Sequence, residues 1–82
     1  MNLQDYRNKI DTIDKEIVQL LADRMEVSKK IGAFKKENSL PVLDEKREAE
    51  KLLEIEALAK DSKTEICTIY RAIFEESRKC QE

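Results

Sequence analysis

Arg24 and Lys35 lie eleven residues apart. In a helix that is almost three full turns, so both project from one face about 16 Å apart along the axis. Ser28 and Ile31 fall between them, giving a shallow floor with a cation at each end. Arg24 also occupies a position where the periodicity of its own segment asks for an apolar side chain. A buried arginine without a protein carboxylate leaves its partner to be supplied by an anionic ligand. The plainer reading is an Arg24 that snorkels or pairs with Asp or Glu across a bundle, and a Lys35 that is simply solvated. The stretch "LDEKRE", residues 43–48, adds Asp44, Arg47 and Glu48 around a helix start. Backbone N–H groups there favour oxygen-rich ligands, although the same residues also make an ordinary capped, charged first turn. Ser77 and Gln81, spaced i, i+4, can present two neutral hydrogen-bonding groups to one pocket, or form a polar helix end. On the functional reading these residues offer a site to an anionic ligand; on the plain one they are ordinary polar helix positions.

The elements that must position them are helical. Leu3, Tyr6, Ile10, Ile13, Ile17, Leu20, Arg24, Val27, Ile31 and Phe34 alternate by three and four residues, the spacing of a helix seam. Nine of these ten positions are apolar and the tenth is Arg24. Between residues 3 and 36 only Gly32 disfavours helix, by about 1 kcal/mol relative to alanine, while permitting close approach of another backbone or a ligand. Such a helix is roughly 50 Å long, more than the diameter of a compact globule of this size, so much of its stripe requires a second chain. "KENSLPVLD" ends it, because Asn38 and Ser39 are poor interior residues and Pro41 disfavours helix at Leu40. After a loop of about five residues, Asp44 is placed to cap a second helix running to about Ala59, with Ala49, Leu52, Leu53 and Leu58 on or near its inner face. "KDSKT" reads as a turn. From Lys63 or Thr64 a third helix carries Ile66, Ile69, Tyr70, Ile73 and Phe74, a stripe that Ser77 and Gln81 then interrupt.

Arg7 lies about 25 Å from Arg24 along the first helix and some 100° around it, so it cannot join the same floor in its own chain. An antiparallel copy crossing near Val18 and Gln19 brings the partner's Arg7 opposite residues 29–31. The expected assembly is a homodimer whose sites take residues from both chains.

Bulk composition agrees with this frame. The 82 residues are 41% charged and 40% hydrophobic, with one glycine and one proline, and are expected to form one helical domain, residues 1–82. A domain this small hides only about 60% of its unfolded surface as a monomer, which again calls for a partner subunit. A net charge of −2 argues against a general nucleic-acid binder. Cys67 and Cys80 fall roughly 20 Å apart in one helix, too far to bridge, and are expected as reduced thiols. The N-terminal "MNLQDYRNKI" lacks the apolar core of a signal peptide and no run approaches the ~20 residues of a membrane span, so a cytoplasmic location is expected.

In order and spacing, "YRNKIDTIDKEIVQLLADRMEVSKKIGAFKKENSLPVLDEKRE" and "IFEESRKCQ" resemble the all-helical class of chorismate mutases over nearly the whole chain. The resemblance implies an all-α subunit of one long and two shorter helices in an intertwined homodimeric bundle. It implies conversion of chorismate to prephenate in aromatic amino-acid biosynthesis, with no cofactor and no metal. Arg7 then corresponds to the cation that enters the neighbouring subunit's site, and Arg24 and Lys35 to the other principal substrate-binding cations. Asp44, Arg47 and Glu48 correspond to the group near the substrate's hydroxyl, and Ser77 to a carboxylate-binding hydroxyl. Gln81 corresponds to the side chain that faces the ether oxygen with Lys35. One departure is Arg78, beside Ser77, where an apolar residue is expected. Gln81 is also penultimate, where fraying would weaken its contribution.

That reaction needs no nucleophile, which fits a sequence with no histidine, no metal-ligand cluster and no phosphate-binding glycine loop. Within the same fold the competing activity is an isochorismate pyruvate lyase, although the loop "ENSLPVLDEKRE" looks more like that of a mutase. A non-catalytic dimerisation or regulatory module explains a polar seam residue at Arg24, but not why Lys35, Glu48, Ser77 and Gln81 accompany it. A DNA-binding dimer conflicts with the acidic balance.

Overall fold

The computed structural model describes all 82 residues, Met1–Glu82. Helix α1 spans Leu3–Glu37, α2 spans Glu45–Ala59 and α3 spans Lys63–Gln81, with a single 3-10 turn, Lys60–Ser62, between the last two. No strand is present. No loop residue separates Glu45 from Gln81, and the expected second and third helices are two limbs of one bent run. The bend falls at Lys60, which takes a positive φ of 53°.

Local signals account for the helix ends. Asn2 caps α1, its Oδ1 accepting from the Asp5 backbone N–H at 2.9 Å while Asp5 Oδ2 accepts from the Asn2 backbone N–H at 3.1 Å. This reciprocal box satisfies two otherwise orphaned donors. At the other end Asn38 Nδ2 donates to the Phe34 carbonyl at 2.8 Å, and Ser39 turns the chain at φ 54°. The connection to α2 is seven residues, Asn38–Asp44, slightly longer than its sequence implied. Asp44 caps α2 as expected, its Oδ1 accepting from the Arg47 backbone N–H at 2.9 Å.

The chain measures 54 × 23 × 14 Å, and its long dimension is that of α1, whose 35 residues rise about 52 Å. Helix α3 packs on both α1 and α2, whereas α1 and α2 do not pack on each other. A cleft consequently lies between α1 and α2 with α3 at its base. The interior of a single chain is small: Ser28, Gly32, Ile55, Cys67, Phe74 and Ser77 are its buried residues.

Two sequence expectations about packing need correction. On α2 the buried residue is Ile55, while Leu53 and Leu58 are 67% and 74% exposed. On α3 the buried positions are Cys67, Phe74 and Ser77, and Ile69 is exposed. The physical reason is the narrow contact α3 makes with each neighbour, which selects one line of residues from each apolar stripe. Along α1 all nine apolar seam residues, Leu3 to Phe34, are exposed in the isolated chain, from 41% at Ile31 to 66% at Leu20. No helix is long and apolar enough to cross a membrane.

Candidate active site

The cleft has a volume of about 550 Å³, in the range that small-molecule sites occupy. Its α1 wall presents Arg24, Val27, Ser28, Ile31 and Lys35; the loop and α2 contribute Val42, Asp44, Arg47, Glu48 and Lys51; Phe74, Ser77, Arg78 and Gln81 come from α3. Seven of the eight residues singled out by the sequence thus line one cavity. Arg7 does not. It is exposed on the N-terminal part of α1, as the helix geometry requires for its own chain.

Lys35 and Gln81, 46 residues apart in sequence, meet across the α1–α3 contact. Lys35 Nζ donates to Oε1 of Gln81 at 2.7 Å and to the Val42 carbonyl oxygen at 2.7 Å. An ammonium carries three donors and no acceptor, so it must face the amide oxygen of Gln81. The Gln81 Nε2 group and the third N–H of Lys35 are left as neighbouring donors. Their approach depends on Gly32: a Cβ at that position would lie 2.5 Å from both Cα and the carbonyl oxygen of Gln81.

Ser77 is buried and its Oγ is 2.6 Å from Oγ of Ser28, one hydroxyl donating to the other. Ser28, which the sequence placed on the floor between the two cations, is 3% exposed. On the opposite rim Arg78 Nη1 donates to both oxygens of Glu48, at 2.7 and 2.6 Å. That hydrogen bond pushes the Arg78 guanidinium further up from its ordinary value, against the smaller opposing effect of desolvation. Arg24 is half-buried, and neither Arg24, Arg47 nor Lys35 takes part in an ion pair within the chain.

Electrostatically the cleft is the inverse of the whole molecule. Its lining holds five cations, Arg24, Lys35, Arg47, Lys51 and Arg78, against two carboxylates, Asp44 and Glu48, while the chain carries a net charge of −2. A concave low-dielectric surface focuses such an excess on an anionic ligand. As lining residues Lys51 and Phe74 were missed in the sequence, Phe74 being read only as part of the apolar stripe, and helical spacing held the signal for both. Lys51 follows Arg47 by four residues and Phe74 precedes Ser77 by three, so each shares a face with a site residue. Val42 contributes a backbone carbonyl, which no side-chain pattern reveals.

The fold and the cleft define an all-helical chain with a cleft lined by cations and neutral hydrogen-bonding groups. The family model for chorismate mutase type II matches residues 6–82, and the chain belongs to that family. Among curated relatives, the bifunctional chorismate mutase/prephenate dehydratase of Buchnera aphidicola is 39% identical over 75 residues, 88% of this chain and 20% of the relative. The protein of the same description from Aquifex aeolicus is 42% identical over 48 residues, 58% of this chain and 13% of the relative. The T-protein of Haemophilus influenzae is 39% identical over 46 residues, 56% of this chain and 12% of the relative. The chain therefore spans no more than 20% of the length of these relatives. A solved structure, that of a conserved hypothetical protein from Pyrococcus furiosus, superposes with a TM-score of 0.78 at 36% identity, covering 98% of this chain and 95% of that one.

Proposed function

We propose that this chain is a chorismate mutase that isomerises chorismate to prephenate, acting in the cytoplasm as a three-helix subunit, residues 1–82, of an intertwined homodimer. The observation that carries the reading is the convergence of seven site residues on one cation-rich cleft in a chain of this family. Chorismate is a dicarboxylate with an enolpyruvyl ether and a ring hydroxyl. Its rearrangement breaks the ether C–O bond as a new C–C bond forms, within one molecule and without a nucleophile.

Arg24, Arg47 and the partner subunit's Arg7 clamp the two carboxylates and hold the enolpyruvyl arm over the ring in a reactive conformer. Ser77 adds a hydroxyl to one carboxylate, and Asp44 and Glu48 face the ring hydroxyl. As the C–O bond breaks, negative charge grows on the ether oxygen. The free N–H of Lys35 and the Nε2 group of Gln81 then bind the transition state more strongly than the ground state. Their shared hydrogen bond holds both donors in place before the reaction, so little reorganisation is needed at the moment of bond breaking.

The exposed seam of α1 supports the dimer. A stable interface buries roughly 800 Å² per partner, an area that nine half-exposed large apolar side chains can supply. The seam also runs past Arg24, so a second copy lying along it closes the open side of the cleft and supplies Arg7.

The test is incubation of the purified protein with chorismate, following loss of substrate absorbance and identifying the product by NMR. Prephenate is the expected product. A folded dimer that leaves chorismate unchanged would overturn the proposal, and pyruvate release from isochorismate would replace it with the lyase.

A further inference from the structure

The Arg78–Glu48 pair joins the last turn of α3 to the first turn of α2 at the rim of the cleft. The side chains are 31% and 27% exposed, and one nitrogen, Nη1, holds both carboxylate oxygens. Because α2 reaches α1 only through α3 and the loop, this contact helps fix the α2 wall against the remainder of the site. A carboxylate offers about four lone-pair positions, so a single bridging nitrogen leaves acceptor capacity on Glu48 for a ligand hydroxyl.

An ionised carboxylate in a pocket for a dianion has an evident cost, since it repels the ligand it must bind. At about 6 Å and an effective dielectric near 20, one such repulsion weakens affinity on the order of tenfold to a hundredfold. A guanidinium bonded to that carboxylate cancels most of the field while leaving it able to accept a hydrogen bond. We propose that Arg78 is a positioning residue for Glu48, compensating its charge and aiming its oxygens so that an acidic side chain can serve a dianionic substrate; the inference rests on the chorismate reading above.

A double-variant cycle in chorismate turnover tests it. Arg78→Met raises KM about tenfold or more and changes kcat much less, because the hydroxyl acceptor is still present. Adding Glu48→Gln to Arg78→Met brings KM back toward that of wild type, since the two positions together again carry no net charge. Arg78→Lys, which keeps the charge, stays close to wild-type KM. Should Arg78→Met lose helicity in circular dichroism, Arg78→Gln takes its place in the cycle as a polar side chain without the charge. A double variant whose KM stays as high as that of Arg78→Met would show Arg78 holding the ligand itself rather than offsetting Glu48 and overturn the proposal, as would an unchanged KM in the single variant. Wild-type protein is assayed alongside. Its failure to turn over chorismate would sink the functional reading itself, whereas wild-type turnover with a cycle of the wrong sign sinks only the role given to Arg78.

Discussion

Gly32 packs directly against the backbone of Gln81, so close that a Cβ would stand 2.5 Å from two of its atoms. The contact lets the C-terminal turn of α3 settle on α1 within hydrogen-bonding reach of Lys35. Helix propensity alone predicts that Gly32→Ala stabilises α1 by about 1 kcal/mol. Overpacking a close backbone contact costs about 1–3 kcal/mol, and here the neighbouring atoms are main chain and cannot rotate away. The expected outcome is a lower Tm together with a fall in kcat, as Gln81 is displaced from Lys35. A variant with a higher Tm and unaltered kcat would refute the close approach.

The Lys35–Gln81 bond makes a sharper prediction through chemistry at constant shape. In Gln81→Glu the introduced carboxylate accepts from Lys35 but has no proton to give the ether oxygen, so activity near pH 7 falls steeply. A carboxyl group ordinarily protonates near pH 4.3, and the Lys35 ammonium beside it holds this one lower; once the pH falls through that lowered value the neutral acid regains a donor, and activity relative to wild type rises. A pH profile of the ratio of the two rates measures this directly, and a flat ratio would remove Gln81 from the ether oxygen. Lys35→Ala removes the paired donor outright and should lower kcat about a hundred- to a thousandfold, with the dimer intact by sedimentation.

Arg7 tests whether the site is shared between chains. Arg7→Ala and Lys35→Ala subunits are each expected to form inactive homodimers. Mixed, they form heterodimers in which one site lacks both cations and the other has both, so activity should return with subunit exchange toward half of wild type per heterodimer. Continued inactivity after exchange has been verified by mass spectrometry would place Arg7 outside the partner's site.

Arg24 separates an enzyme from a dimerisation module. It is the one polar residue in the α1 seam and joins no ion pair within the chain. Arg24→Leu should therefore keep or raise dimer stability, as removal of an uncompensated seam charge often does, while turnover is lost. Loss of the dimer together with loss of activity would instead make Arg24 a structural cation.

Much of this protein is legible along the chain because its elements are helices. A helix is specified by local spacing: the three- and four-residue alternation from Leu3 to Phe34, the cap at Asp44 and the break at Pro41 fix α1 and the start of α2 without reference to anything distant. The same geometry places Arg24, Ser28 and Lys35 on one face, and Arg47 with Glu48 at a helix start. Tertiary structure decided what lies between helices. That Ile55 rather than Leu53 is buried, that α2 and α3 form one bent run, and that Lys35 meets Gln81 over the hydrogen of Gly32 all depend on how α3 seats on its neighbours. So does the pairing of Arg78 with Glu48. Spacing within a helix determines direction, but only the packed arrangement determines distance, and electrostatics and hydrogen bonding act through distance.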